Sequence, residues 1–191
     1  VAQNAIEASR FLRAAIAGGN TGAKIDLARL IRANPETGTA TEAATLAGDG
    51  LAALDQQSRS GNANSSRQLG EIYRDGVIVA ADAALAQRYY ATAIEQGQAN
   101  AVPALAEMWI NGSPTDQQRA LRLLEMGADR NIARAIILLG DQYRDGTITA
   151  RDRDLALAYY LRGVDGYDGP SVRRVAGTLR SGRVSAARRA E

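Results

Sequence analysis

Three aspartates, Asp82, Asp116 and Asp152, recur at corresponding places along this chain. Paired carboxylates can share general acid and base work, but only where their surroundings push the two pKa values apart. Corresponding repeat positions give similar surroundings, and neighbouring copies should lie on the order of 10 Å apart in packed helices. These aspartates are therefore expected to cap helices or sit in their first turns rather than to catalyse. Gly18-Gly19-Asn20-Thr21-Gly22 has the glycine content of a phosphate cradle, yet no strand pattern precedes it and no Lys-Ser/Thr follows. Tyr89-Tyr90 and Tyr159-Tyr160 could stack on sugars or bases. In helical register one ring of each pair turns inward, which assigns them to core and flank.

The 191 residues contain no Cys and no His. That removes disulfide frameworks, thiolate and imidazole metal sites, Ser-His-Asp triads and cysteine nucleophiles. No enzymatic activity, metal or cofactor is expected. A hydrophobic fraction of 46% is that of a globular domain. Aromatics make up only 5% and alanine is the commonest residue, so helices form easily but must pack through small side chains. Net charge is +2, with 23 basic and 21 acidic residues, and demands no polyanionic partner. The stretch from Arg173 to Glu191 is arginine-rich; it reads as a solvated chain end, with nucleic-acid contact the weaker alternative. Apolar runs such as Ile136-Ile137-Leu138-Leu139 are too short to span a bilayer. The sequence begins at Val1 with no signal-peptide pattern and reads as a piece of a longer chain.

The elements that position these residues repeat. Leu69-Gly70-x-x-Tyr73-x-x-Gly76 returns as Leu139-Gly140-x-x-Tyr143-x-x-Gly146, with Leu105-Ala106-x-x-Trp109-x-x-Gly112 between them and Val175-Ala176-x-x-Leu179-x-x-Gly182 after. The small residue recurs at spacings of 36, 34 and 36, which is the period of a helix-hairpin solenoid. A second pattern, Asp82-x-x-x-Ala86-x-x-Tyr89-Tyr90-x-x-Ala93, is matched from Asp116 and again from Asp152. Its apolar spacing is that of an amphipathic helix. Gly70, Ala106 and Gly140 should let paired helices approach, and Tyr73, Trp109 and Tyr143 should fill the space between successive hairpins. Gly76, Gly112, Gly146 and Gly182 should end first helices in the left-handed conformation. Residues 1–60 hold degenerate units: a lone second helix over 2–18 (Ala8, Phe11, Leu12, Ala15), a first helix over Ala23 to Ala33, a loop containing Asn34 to Gly38, and a partner helix over 43–60. Clearer copies occupy 61–182, and 183–191 is a basic tail or short cap. The expected fold is one all-α unit over 1–191, a right-handed α-solenoid of antiparallel helix hairpins beginning and ending in half-repeats.

This pattern resembles the Sel-one-like repeat, a relative of the tetratricopeptide repeat with a longer loop inside the hairpin. The family pattern A-x-x-x-L-G-x-x-Y-x-x-G, a loop ending in Asp, then A-x-x-Y/W-Y/F-x-x-A-A is matched from Leu69 through Ala101 and from Leu139 through Gly163. The family loop often reads G-x-G-V-x-x-D. Here Gly76 to Asp82 and Gly146 to Asp152 keep the spacing but carry Ile78 and Ile148 at the second glycine. That departure resembles the repeat scaffold lipoproteins of bacterial alginate and related exopolysaccharide export. The resemblance implies a non-catalytic scaffold whose partners are other proteins of an envelope export complex, in the periplasm or at the outer membrane. A regulatory adaptor restraining a signalling protein, with a cytoplasmic location, is the alternative; contact with anionic polysaccharide is a third.

In such repeats the first helix lines the concave face. The position after the core aromatic holds Arg32, Arg74, Ile110, Arg144 and Arg180; three residues earlier stand Arg29, Glu71, Glu107, Asp141 and Gly177. Arg32, Arg67, Glu71, Arg74, Glu107, Asp141, Arg144, Arg173 and Arg180 are thus candidate groove residues. Two readings stay open: local pairs Glu71/Arg74 and Asp141/Arg144 near helix C-termini, or a charged ladder for an acidic loop or peptide carboxylates.

Overall fold

A computed structural model describes residues 2–165, and the described residues form α-helices joined by short loops. In chain order these are α1 (Ala2–Ala17), α2 (Gly22–Ala33), α3 (Ala40–Arg59), α4 (Ala63–Asp75), α5 (Ala83–Glu95), α6 (Ala101–Ile110), α7 (Pro114–Asp129), α8 (Ala133–Asp145) and α9 (Arg153–Asp165). One 3-10 turn, Pro35–Thr37, lies in the enlarged loop after α2. Hairpins pair α2 with α3, α4 with α5, α6 with α7 and α8 with α9; α1 packs alone against α2. The chain divides into two compact units, Val1–Gln98 and Ala99–Glu191. Val175 to Gly182, the tail 183–191, Arg173 and Arg180 lie outside the described residues. No described helix is long and apolar enough to cross a membrane.

Helix ends follow local chemistry. Gly76 (φ 67°) and Gly146 (φ 71°) adopt the left-handed conformation after α4 and α8, and their N–H groups donate to Ile72 and Gln142 carbonyls. The Asp82 carboxylate accepts from Leu85 N–H and that of Asp152 from Leu155 N–H, each at 2.9 Å, capping α5 and α9. The backbone N–H of each aspartate also returns 2.8 Å to the carbonyl of Tyr73 or Tyr143, so cap and loop close together. Asp152→Ala is expected to lower the stability of the second unit by about 1 kcal/mol, read as a lower urea midpoint.

The middle copy is built differently. Gly112 is not left-handed, and α7 begins two residues later in a capping box of Ser113 and Asp116, with Asp116 in the first turn. The 34-residue spacing shortens this loop, and the shorter loop needs no C-terminal reversal at glycine. Gly112 serves for space: a Cβ there would stand 2.9 Å from Asp116 Cβ and 3.2 Å from the Trp109 carbonyl oxygen.

In the first unit the core joins Ile25 and Ala28 of α2, Ala47 and Leu54 of α3, and Leu69 and Ile72 of α4. Ile78, the residue in place of a loop glycine, is buried in the same cluster and pins the loop to it. Leu12 and Ile16 fasten α1 onto Leu27 and Ile31, while Phe11 is 68% exposed and contributes nothing to that core. The second unit buries Val102, Leu105, Leu124, Ile136, Leu139 and Tyr160. Ala86, Ala120 and Ala156, each fully buried, hold the corresponding second-helix position.

The small first-helix residues accommodate a specific partner. A Cβ on Gly70 would lie 2.7 Å from the Tyr90 ring, and one on Gly140 would lie 2.5 Å from the Tyr160 ring. Where the second helix carries Leu124 instead of tyrosine, the first carries Ala106. Tyr73 and Tyr143 act within their own hairpins, stacking on Tyr89 and Tyr159 with ring centres 5.7 Å apart in both pairs. Tyr73 in addition packs against the shared cluster of the first unit, as its place between hairpins requires.

Candidate functional site

Helical spacing puts Arg67, Glu71 and Arg74 on one stripe of α4, and Asp26, Arg29 and Arg32 on one stripe of α2. Between the helices lies a cleft of about 160 Å³ walled by Asp26, Arg29, Arg67 and Glu71 over a floor including Ile25 and Ile72. Arg67 pairs with Glu71 and donates 3.1 Å to the Asn64 side-chain oxygen. Arg29 stands 3.8 Å from Asp26. The expected Glu71/Arg74 pair is replaced by Glu71/Arg67: four residues apart, Arg67 reaches the carboxylate, while Arg74 turns to Asp75 at 2.9 Å.

Arg74 also lies over Tyr90, 6.0 Å from the ring centre. Burial opposes its charge, but the bond to Asp75 and the neighbouring acids hold its pKa above the ordinary arginine value. Arg32 donates 2.6 Å to the Val77 carbonyl, tying α2 to the loop after α4. Beneath this cluster Tyr90 is fully buried and its hydroxyl has no hydrogen-bond partner. Burial pushes its pKa up to about 12, so it remains a proton donor at neutral pH.

In the second unit Glu107 of α6 is taken by Arg134 of α8. Arg144 is held by Asp145 at 2.6 Å and by Asp141 at 3.0 Å, as the expected i,i+3 pair. The bond to Asp145 is the main reason its pKa rises above the ordinary arginine value. Asp141 is buried and accepts a 2.7 Å bond from the Tyr160 hydroxyl. Arg144 is therefore locked into its own hairpin and makes a poor rung for an incoming ligand. Arg29 and Arg67 are the arginines that line the cleft itself, each paired with a carboxylate of its own helix.

The second-helix side holds a feature that motif reading missed. A polar cleft of about 510 Å³ between α3 and α5 is lined by Asp55, Arg59, Arg88, Tyr89, Thr92 and Gln96, among others. Tyr89 donates 2.9 Å to Asp55, and burial followed by that bond pushes its pKa up to about 12. The 34-residue separation of Asp55 and Tyr89, nearly one repeat, was the available signal. Tyr90 and Tyr160 are fully buried and offer no stacking platform; Tyr89 and Tyr159 already stack on one face. The Gly18 to Gly22 run is a turn between helices, with Gly19 at φ 88° and the Asn20 side chain accepting from Ala23 N–H.

Helix hairpins that spend their repeated polar residues on caps and ion pairs, and leave a charged cleft between first helices, define a repeat-built interaction module. The Sel1 repeat model matches residues 63–98, 104–132 and 133–168, more than half of the chain, and the chain belongs to the Sel1 repeat family. Sel1 repeats act as protein-interaction modules rather than as enzymes. Among solved structures, the chain is similar to a Sel1 repeat protein from Oxalobacter formigenes at 18% identity and a TM-score of 0.64, covering 92% of this chain and 68% of that one. It is also similar to a protective antigen present in uropathogenic Escherichia coli strains that displays an SLR fold, again at 18% identity and a TM-score of 0.64. That match covers 93% of this chain but only 37% of the antigen. At such identity the likeness concerns the fold alone. No curated protein matches this sequence.

Proposed function

We propose that this chain is a non-catalytic scaffold that seats a partner protein against the first-helix face of α2 and α4, within a bacterial envelope complex for exopolysaccharide export. The cleft between these helices carries the reading. It exposes ion pairs, Arg29 with Asp26 and Arg67 with Glu71, that can exchange partners at little cost because surface pairs are individually weak. The export assignment rests on the loop from Gly76 to Asp82, where Ile78 takes the place of the usual glycine and anchors in the core.

The test is a pull-down from envelope and soluble fractions of the native organism, with wild type beside Arg29→Glu/Arg67→Glu. Envelope proteins retained by wild type and lost from the double variant are the expected outcome. Partners held equally by both would move docking to another face. Recovery of soluble regulators alone would favour the adaptor reading.

A further inference from the structure

The two hairpins α4–α5 and α8–α9 are offset by seventy residues and share the Tyr-Arg-Asp-Gly motif, yet one buried tyrosine is satisfied and the other is not. In the second unit the Tyr160 hydroxyl donates to Asp141, which also receives Arg144. In the first unit the corresponding residues are Tyr90, Glu71 and Arg74. Glu71 has a side chain long enough for the same role, but it faces Arg67 instead, and the Tyr90 hydroxyl is left buried without a partner. The residue corresponding to Arg67 in the second unit is Ile137, which cannot compete for the acid. Glu71 therefore stands between two claims: a half-exposed guanidinium at the surface and a buried hydroxyl beneath, with Arg74, Asp75 and Arg67 all close enough to act on that hydroxyl electrostatically. Leaving a buried hydroxyl unpaired is the costlier of the two omissions.

We infer that the α2–α4 cleft accepts an acidic side chain of a partner segment, which takes Arg67 and releases Glu71 onto the Tyr90 hydroxyl and Arg74, the arrangement Asp141 holds in the second unit. This deepens the scaffold reading and rests on it. The charges of α2 and α4 leave room for one carboxylate: in the cleft Arg29 and Arg67 pair with Asp26 and Glu71, beside it Arg74 pairs with Asp75 and Lys24 with Asp49, and Arg32 spends its bond on the uncharged Val77 carbonyl. A carboxylate meets the planar Arg67 fork in two parallel bonds, which neutral or basic side chains cannot form. Two events then occur together: the new ion pair at the surface and a hydrogen bond to a hydroxyl that never touches the partner.

The test selects a random dodecapeptide phage library on the whole chain, then titrates the best synthetic peptide. Enriched peptides should carry Asp or Glu. Arg67→Ile should weaken the chosen peptide by about tenfold or more. Tyr90→Phe should weaken it by about threefold without contacting it, because the internal bond gained on binding is gone. Arg67→Ile/Glu71→Asp, which installs the second unit's residues, should lose the peptide while folding at least as stably as wild type. Arg122→Ala, on α7, should bind as wild type. Peptides without acids, acidic peptides held equally by Arg67→Ile, or a Tyr90→Phe affinity equal to wild type would overturn the inference while leaving the scaffold reading intact. A library that yields no binder would overturn both.

Discussion

Gly140→Ala should destabilise the second unit by about 2 kcal/mol, although glycine to alanine inside a helix ordinarily stabilises by about 1 kcal/mol. The sign reverses because the new Cβ would sit 2.5 Å from Cε1, 2.8 Å from Cδ1 and 3.2 Å from Cζ of Tyr160. That ring is fully buried and its hydroxyl is bound to Asp141, so it cannot swing aside as a free side-chain tip would. The middle copy supplies the remedy, since Ala106 there accompanies Leu124. In a Tyr160→Leu background the same Gly140→Ala change should become neutral or stabilising, giving a coupling of about 2–3 kcal/mol in the double-mutant cycle. Trp109 is the single tryptophan and lies in α6, so its fluorescence during urea unfolding reports the second unit. Stabilisation by Gly140→Ala in both backgrounds would mean that the ring does not pack on residue 140.

The fold was legible because the repeat carries its own punctuation. Gly76 and Gly146 end first helices, Asp82 and Asp152 start second helices, and each needs only the local chain to act. Gly112 misleads because a shared motif does not carry a shared loop: a loop two residues shorter hands the boundary to Ser113 and Asp116. Phe11 misleads in a related way: its spacing fits an apolar stripe, but the face of α1 that packs on α2 is the one carrying Leu12 and Ile16, and Phe11 points away from it.

The site was legible in composition and only partly in pairing: Asp141 and Arg144 pair as their spacing suggests, while Glu71 and Arg74 do not. Position along a helix places Arg74 and Arg144 on the right face, but the adjacent Asp75 and Asp145 claim them. Which carboxylate an arginine meets depends on reach: Arg67 takes Glu71 four residues on, while Arg144 takes the shorter Asp141 three residues back. The clefts between neighbouring helices arise only when hairpins stack, and a linear motif holds no record of that contact.

Tyr160→Phe should lower the stability of the second unit by about 2 kcal/mol, whereas Tyr90→Phe should leave the first unit unchanged or more stable by up to about 1 kcal/mol. The two tyrosines hold corresponding positions, both are fully buried, and both face a glycine across the hairpin. They differ in what the hydroxyl meets. Removing the Tyr160 hydroxyl deprives a buried carboxylate, which Arg144 also meets at 3.0 Å, of a 2.7 Å bond. A hydrogen bond to a charged group is worth about 1.5–3 kcal/mol, and the buried acceptor keeps its desolvation cost after the donor is gone. Removing the Tyr90 hydroxyl takes away an atom that is already desolvated and unpartnered, while the ring continues to fill the same space against Gly70. Urea midpoints followed by Trp109 fluorescence for the second unit and by helical circular dichroism for the first separate the two effects. Equal losses at both positions would mean that Tyr90 has a partner after all, and the different fates of Glu71 and Asp141 would then have no energetic consequence. Opposite responses from corresponding residues would show that Arg67 in one copy and Ile137 in the other, each six residues before the motif tyrosine of its helix, decide what the buried hydroxyl costs.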